Sequence, residues 1–276
     1  MFNRQALAPG QWLYLILDTA LPLGLDATLD LCVRAGVVGL WCKCADGRQG
    51  DPWLSSFRRA QTAIKHAGLR LQVVPYAVVY PEDAPDPSWW NLLAPLATGN
   101  HVVLDPDDMN AWSAAPAGTA TQLLGQVPMT VRLLMSCWGN VGGVPSFPWS
   151  EWLARVSAVL PEQYVSAYGR APDDVYNMPF LGGPGRGLET LTPAPSAVIP
   201  TFDFAAIPRM AALAQTGGFP SIGWWEAGRL TAEVAAALAH TPYAASAAQA
   251  PLPGAEVAQA VALLQDAEHR MEEATP

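Results

Sequence analysis

The feature that most constrains this chain is an alternation. Short apolar runs rich in β-forming residues are each followed by helical or loop-rich sequence, and the pattern recurs eight times between residues 12 and 240. Residues 12–18 (WLYLILD), 37–43 (VVGLWCK), 69–76 (LRLQVVPY), 101–105 (HVVLD), 129–136 (MTVRLLMS), 158–164, 196–203 (SAVIPTFD) and 220–226 (PSIGWWE) read as strands. Helices are expected at 26–35, 52–67, 88–97, 119–124, 149–155, 205–216 and 231–240. Gly68 and Gly217-Gly218 stand where helices stop, and Thr231 stands where one starts. A Gly- and Pro-rich loop at 169–195 replaces the helix after the sixth strand.

Repeated strand–helix units imply parallel strands joined by right-handed crossovers. Eight of them predict one α/β domain, a single (β/α)8 TIM-type barrel spanning residues 1–241. The rival is an open doubly wound sheet, which often carries a Gly-rich phosphate loop after its first strand. Here that strand runs into LDTALPLG, which is no such loop. An Ala/Pro-rich linker is expected at 242–253 and a C-terminal helix at 254–276. Val257, Val261, Leu264, Ala267 and Met271 form one stripe on that helix, suited to docking on the barrel or to self-association with a second chain.

Composition narrows the function. Apolar residues make up 51% of the chain and charged residues 14%, which argues for a well-buried domain. A net charge of −9 opposes phosphate backbones, so no nucleic-acid partner is expected. No apolar run reaches the roughly 18 residues of a membrane span. The N-terminal residues lack a signal-peptide pattern, so the chain is expected to stay in the cytoplasm or to leave with a larger assembly. Cys32, Cys42, Cys44 and Cys137 have neither zinc nor disulfide spacing and read as buried free thiols. His66, His101, His240 and His269 do not gather at strand ends, so no histidine metal site is expected. No cofactor is expected, and a hard cation on the D-P-D-D aspartates is only a minor alternative.

In a barrel, chemistry sits at the C-terminal ends of the strands. Four of the eight expected strands end in an acid, at Asp18, Asp105, Asp203 and Glu226, in a chain with 24 acidic residues altogether. Asp107 and Asp108 follow Asp105 directly. Acids gathered in one pocket raise one another's pKa, so one can hold a proton beside another that is ionised. Cleavage of a glycosidic bond needs such a pair. Asp18, Asp105, Asp107 and Glu226 are the candidate catalytic residues. Trp41, Tyr76, Trp138, Tyr164 and Trp225 offer flat faces for sugar rings, and Gln163 and Asp203 offer polar contacts. Lys43 is expected to form a salt bridge across the mouth. Each acid also has a plainer role open to it: a cap or loop bond at Asp18, a turn at D-P-D-D, an ion pair at Glu226.

With those residues in view, the chain resembles the barrel lysozymes of glycoside hydrolase family 25. LILDTA is similar to that family's opening strand, whose acid would be Asp18. GLWCKCADG resembles its second strand, from Lys43 to Gly47, and VVLDPDD sits at its acid-x-Glu pair. The similarity covers residues 12–110 and is one of layout beyond them. It implies a glycan hydrolase, with peptidoglycan as substrate and Asp107 as proton donor. Asp105 and Asp18 would position water or stabilise the cationic transition state, and Glu226 is the reserve acid. Asp107 stands where the family has glutamate, one methylene shorter, and such a change can move a donor by about 1 Å. The alternative is therefore a non-catalytic barrel that binds glycan or builds a larger assembly. A barrel enzyme for phosphorylated metabolites ranks third, because WWEAGRL offers little for a phosphate after strand eight.

Overall fold

The computed structural model describes residues 7–97, 101–140, 143–178 and 197–244. The expected linker and C-terminal helix, and most of the loop at 169–195, lie outside them.

Eight parallel strands form one curled sheet: β1 (Gly10–Leu15), β2 (Val37–Asp46), β3 (Gln72–Val78), β4 (His101–Asp105), β5 (Arg132–Trp138), β6 (Ala158–Glu162), β7 (Ala197–Val198) and β8 (Ser221–Trp224). Their order is β6-β5-β4-β3-β2-β1-β8-β7, and a parallel bridge between Glu162 and Ile199 joins the two ends. The join is carried by Gln163 N–H donating to Ile199 O and Ile199 N–H donating to Pro161 O, each at 2.9 Å. The protein is a TIM-type (β/α)8 barrel, as its alternation implies.

Ten helices surround the sheet among the described residues. They are α1 (Leu25–Arg34), α2 (Trp53–His66), α3 (Ser88–Leu93), α4 (Met109–Ala114), α5 (Thr119–Gly125), α6 (Trp149–Leu153), α7 (Val165–Tyr168), α8 (Pro172–Asn177), α9 (Ile207–Thr216) and α10 (Ala232–Ala239). Thr231 caps α10, its hydroxyl accepting from Val234 N–H at 3.2 Å. Helices α4, α7 and α8 are short and lack a long apolar period, and they were not expected from the sequence. β5 starts three residues later than the apolar run, because Pro128 begins a turn closed by Val131 N–H on its carbonyl at 2.9 Å. β1 stops at Leu15, and Asp18 opens a short 3-10 turn instead of ending the strand. No described helix is long and apolar enough to cross a membrane.

Side chains divide by parity into two cores. Outward residues such as Leu13, Leu40, Leu104, Leu133 and Ile222 pack under the helices. Cys32, Cys42, Cys44 and Cys137 are free and buried in that layer, and burial pushes the Cys32 thiol up to about 12. Inward residues fill the barrel itself, among them Trp12, Tyr14, Trp41, Tyr76, Leu134 and Leu160. Barrel interiors are usually packed with branched aliphatics. Here Trp12 and Trp41 stack with centroids 5.3 Å apart and planes 10° apart, and Tyr14 and Tyr76 lie above them.

So large a stack needs room, and two glycines provide it. A Cβ on Gly39 would overlap the Trp12 ring, and one on Gly223 would overlap the Trp41 ring. Gly39→Ala and Gly223→Ala are therefore each expected to lower stability by about 1–3 kcal/mol or more, as overpacked cores do. Gly125→Ala, whose Cβ would meet nothing within 4 Å at the end of α5, is expected to be neutral or slightly stabilising. Urea denaturation of the three variants checks this; equal behaviour of all three would contradict the packing account.

Candidate active site at the barrel mouth

The inward parity that builds the aromatic core continues up each strand to its C-terminal end. Lys43 follows Trp41 on β2, Asp105 follows Val103 on β4, and Ser136 follows Leu134 on β5. Glu162 follows Ala158 and Leu160 on β6, and Trp225 follows Gly223 on β8. Pairing puts Asp46, Val78 and Asp105 at one level and Trp138 beside Glu162. The centre of the site is thus the carboxyl pair Asp105 and Glu162, set over Tyr14 and Tyr76.

Hydroxyls hold both carboxyls. Tyr76 Oη donates to Asp105 Oδ2 at 2.5 Å. Ser136 Oγ donates to Glu162 Oε1 at 2.8 Å, and Tyr164 also donates to Glu162. Both side chains are half-buried, and loss of water governs their titration. It pushes Asp105 up to about 7, against the Tyr76 bond and with the help of the Asp107 charge. It drives Glu162 well above the usual carboxylate range, and the nearby charge of Asp105 adds to the effect. Burial likewise raises the phenols of Tyr14, Tyr76 and Tyr164, which stay protonated as donors. The Tyr14 hydroxyl is fully buried beside Ser136 and makes no hydrogen bond of good geometry among the described residues.

A second network borders the first. Lys43 Nζ lies 2.7 Å from Asp46 Oδ2 and 4.6 Å from the centre of the Trp53 ring. Tyr80 Oη donates to Asp46 Oδ1 at 2.8 Å. The Lys43 salt bridge expected across the mouth forms instead with Asp46, three residues further along the same strand, because a local acid is within reach of the ammonium. Among the described residues, no group of three or more His, Cys, Asp or Glu side chains is arranged to hold a metal ion.

The other sequence candidates fall in different places. Asp18 is at the β1 end, but its carboxylate takes both prongs of Arg59 from α2, at 2.5 and 2.7 Å, and is held below its ordinary value mainly by those bonds. Asp107 is exposed on the rim, and its Oδ1 accepts from Asp108 N–H at 2.9 Å. Asp203 is partly exposed beyond β7, and its carbonyl accepts from Ala206 and Ile207 at the start of α9. Glu226 is partly exposed, with its carboxylate near Gly228. Gln163 has outward parity: it is buried, and its amide donates to Tyr176 O on α8 at 2.8 Å, away from the mouth. Trp41 lies at the bottom of the barrel, 1% exposed, below any surface a ligand can reach directly. Tyr76 is buried and contributes its hydroxyl, not a ring face. Trp225 packs on Tyr14 and Tyr164 with centroids 5.2 and 6.0 Å away. Trp138 is 43% exposed at the end of β5 and offers an open ring face beside Glu162.

The sequence reading missed Glu162. It ran strand six on to Tyr164 and took the last two residues as the strand end. Counting by twos from the apolar pair Ala158 and Leu160 puts Glu162 on the inner face, and that signal was present in the sequence.

No protein-family model matches the sequence, and no curated protein matches it significantly. The fold is shared with solved structures at low identity. A glycoside hydrolase family 18 N-acetylglucosaminidase from Paenibacillus barengoltzii has a TM-score of 0.52 at 10% identity, over 83% of this chain and 98% of that one. The chitinase-like agglutinin RobpsCRA from Robinia pseudoacacia has a TM-score of 0.52 at 11% identity, over 82% and 98%. A class V chitinase from Pseudomonas fluorescens Pf-5 has a TM-score of 0.51 at 13% identity, over 84% and 98%. These likenesses show the fold alone, a TIM-type barrel shared with chitinases and an agglutinin. They do not bear out the narrower resemblance to family 25.

The raised carboxyls predict a pH-dependent stability. A group whose pKa is higher folded than unfolded contributes stability below its unfolded value, near 4, and that contribution is lost as pH rises through the folded value. For Asp105 that window runs from about 4 to about 7. Glu162→Gln removes the corresponding loss at Glu162 and relieves Asp105. The variant is expected to melt at a higher temperature than the parent at pH 8 and within a degree or two of it at pH 4, where the parent glutamate is also neutral. A melting difference independent of pH would contradict the assigned burial.

Proposed function

We propose that this protein cleaves glycosidic bonds by carboxylate acid/base chemistry, with Asp105 and Glu162 as the reacting pair. The observation that carries this reading is the pair itself: two half-buried carboxyls on inward positions of β4 and β6, at the C-terminal end of the barrel strands, with raised proton affinity. The protonated member gives its proton to the glycosidic oxygen as the bond to the anomeric carbon breaks. The ionised member stabilises positive charge on the sugar and takes the proton of the water whose oxygen joins that carbon. Trp225 and the exposed Trp138 supply ring faces for the sugar. The substrate class is a neutral glycan containing N-acetylhexosamine, such as chitin or the glycan of peptidoglycan. The fold likeness to chitinases and the sequence resemblance to barrel lysozymes both support it. Asp107 and Glu226 serve at the rim, and Asp18 braces the β1 loop through Arg59.

A second reading keeps the glycan and drops the chemistry. Asp107, at the place of the resembled family's proton donor, is exposed and engaged with its own turn. One barrel of like fold is an agglutinin. Release of reducing ends from chitin oligosaccharides and cell-wall glycan separates the two readings. With hydrolysis, Asp105→Asn and Glu162→Gln each lower kcat by about 10²–10⁴-fold with ligand affinity retained. Trp225→Ala then raises KM about tenfold or more, at a cost of roughly 1–2 kcal/mol in binding. Binding of the same oligosaccharides without release of reducing ends supports the second reading. Activity that survives the Asp105→Asn, Glu162→Gln double variant refutes the proposed pair.

A further inference from the structure

Two carboxyls at the bottom of one recess resist carrying two charges, so across the neutral range they hold one proton between them. Which carboxyl holds it determines which one is the acid. Hydrogen bonds by number favour the charge on Glu162, which accepts from Ser136 and Tyr164 where Asp105 accepts from Tyr76 alone, so a preference for charge on Asp105 has to come from the surrounding charges. Asp107 lies near both and disfavours a charge on either. The intrinsic difference between Asp and Glu is only about 0.4 pH units.

The cation is placed asymmetrically. Lys43 is on β2, two strands from the β4 of Asp105. Round the closed sheet, the β6 of Glu162 is four strands from β2 in either direction, so Glu162 and Lys43 face each other across the full width of the mouth. Register keeps the ion pair close to Asp105, since Asp46 pairs with Val78 and Val78 with Asp105. Asp46 and the Trp53 ring together fix the ammonium in place. The other groups facing the pair do not set one carboxyl apart from the other. The phenols of Tyr14, Tyr76, Tyr80, Tyr164 and Tyr168 are all raised and remain neutral, as does the Cys137 thiol behind the sheet. The acids that remain are Asp46, held by Lys43, and Asp107, shared by both sides.

We propose that Lys43, anchored by Asp46 and Trp53, is the positioning residue that keeps Asp105 ionised and leaves the shared proton on Glu162. Glu162 is then the proton donor and Asp105 the anion. The inference rests on the proposed hydrolysis only for this catalytic consequence; the proton placement is a property of the protein without sugar.

Carboxyl ¹³C NMR titration of the full chain and of Lys43→Met, Asp46→Asn and Glu162→Gln tests it. In the parent, the step at higher pH belongs to Glu162 and is absent from Glu162→Gln. Lys43→Met removes the cation and unmasks Asp46, and it moves the Asp105 midpoint up by about one pH unit, a tenfold gain in proton affinity. Asp46→Asn frees the cation and moves the same midpoint down. Opposite signs from two members of one ion pair do not arise from loosened packing, and Asp46→Asn alone decides the direction if Lys43→Met does not fold. An Asp105 midpoint that stays fixed, or moves the same way in both variants, overturns the proposal, as does an upper step that survives in Glu162→Gln. Agreement of the titrations in a protein that releases no reducing ends leaves this inference standing and removes the glycosidase reading alone.

Discussion

The aromatic stack that fills the barrel is the constraint on which the rest depends. Trp12 and Trp41 occupy the interior because Gly39 and Gly223 leave it open, and Tyr14 and Tyr76 close over them. This dry floor is what makes the carboxyls above it unusual. A carboxylate loses free energy wherever water is replaced by rings, and Asp105 and Glu162 are half-buried there. The packing that stabilises the fold is therefore also the source of the site's proton affinity. The hydroxyls of Tyr76, Ser136 and Tyr164 compensate part of the desolvation and fix the oxygens in place.

The mouth also separates charges by use. Asp18 is neutralised by Arg59, and Asp46 by Lys43, so two of the acids near strand ends serve as structural partners. The first pair joins the β1 loop to α2, and the second is local, within the last residues of β2. Asp107 and Asp108 remain in water and shape the turn into α4, where Asp108 caps Ala111 N–H at 3.1 Å. The pair at the centre makes no salt bridge among the described residues and is the most deeply placed of the acids that make none. A protein that merely needed a stable barrel would gain from replacing that pair with apolar residues, because buried acids with raised pKa cost stability at neutral pH. That retained cost is a physical reason to look for function at this point of the surface.

Much of the architecture was legible in the sequence. The eight apolar runs matched eight strands, β4 to the residue, and Thr231, Gly68 and Gly217-Gly218 marked helix ends where the helices start and stop. Asp105, Tyr76, Tyr164 and Trp225 lie at or near the C-terminal ends of their strands, where the apolar runs end in the sequence. Other assignments failed where parity mattered more than proximity. Gln163 and Glu162 are adjacent, yet one points to α8 and the other into the barrel, because successive strand residues face opposite sides. Reading the strand two residues too long selected the wrong neighbour. Asp18 shows a different limit: its helix partner Arg59 lies 41 positions away, and nothing local in either segment announces the pairing.

The sequence by itself determined the strand–helix rhythm, and with it a closed parallel barrel, because hydrophobic period and turn chemistry are local properties of the chain. Only the tertiary structure decided which acids meet. Closure carries Lys43 and Glu162 to opposite sides of one opening, brings Tyr76 under Asp105, and gives Asp18 away to a helix. The reason is that proton affinity depends on distance and on excluded water, and neither exists until strands far apart in sequence are wound round the same core.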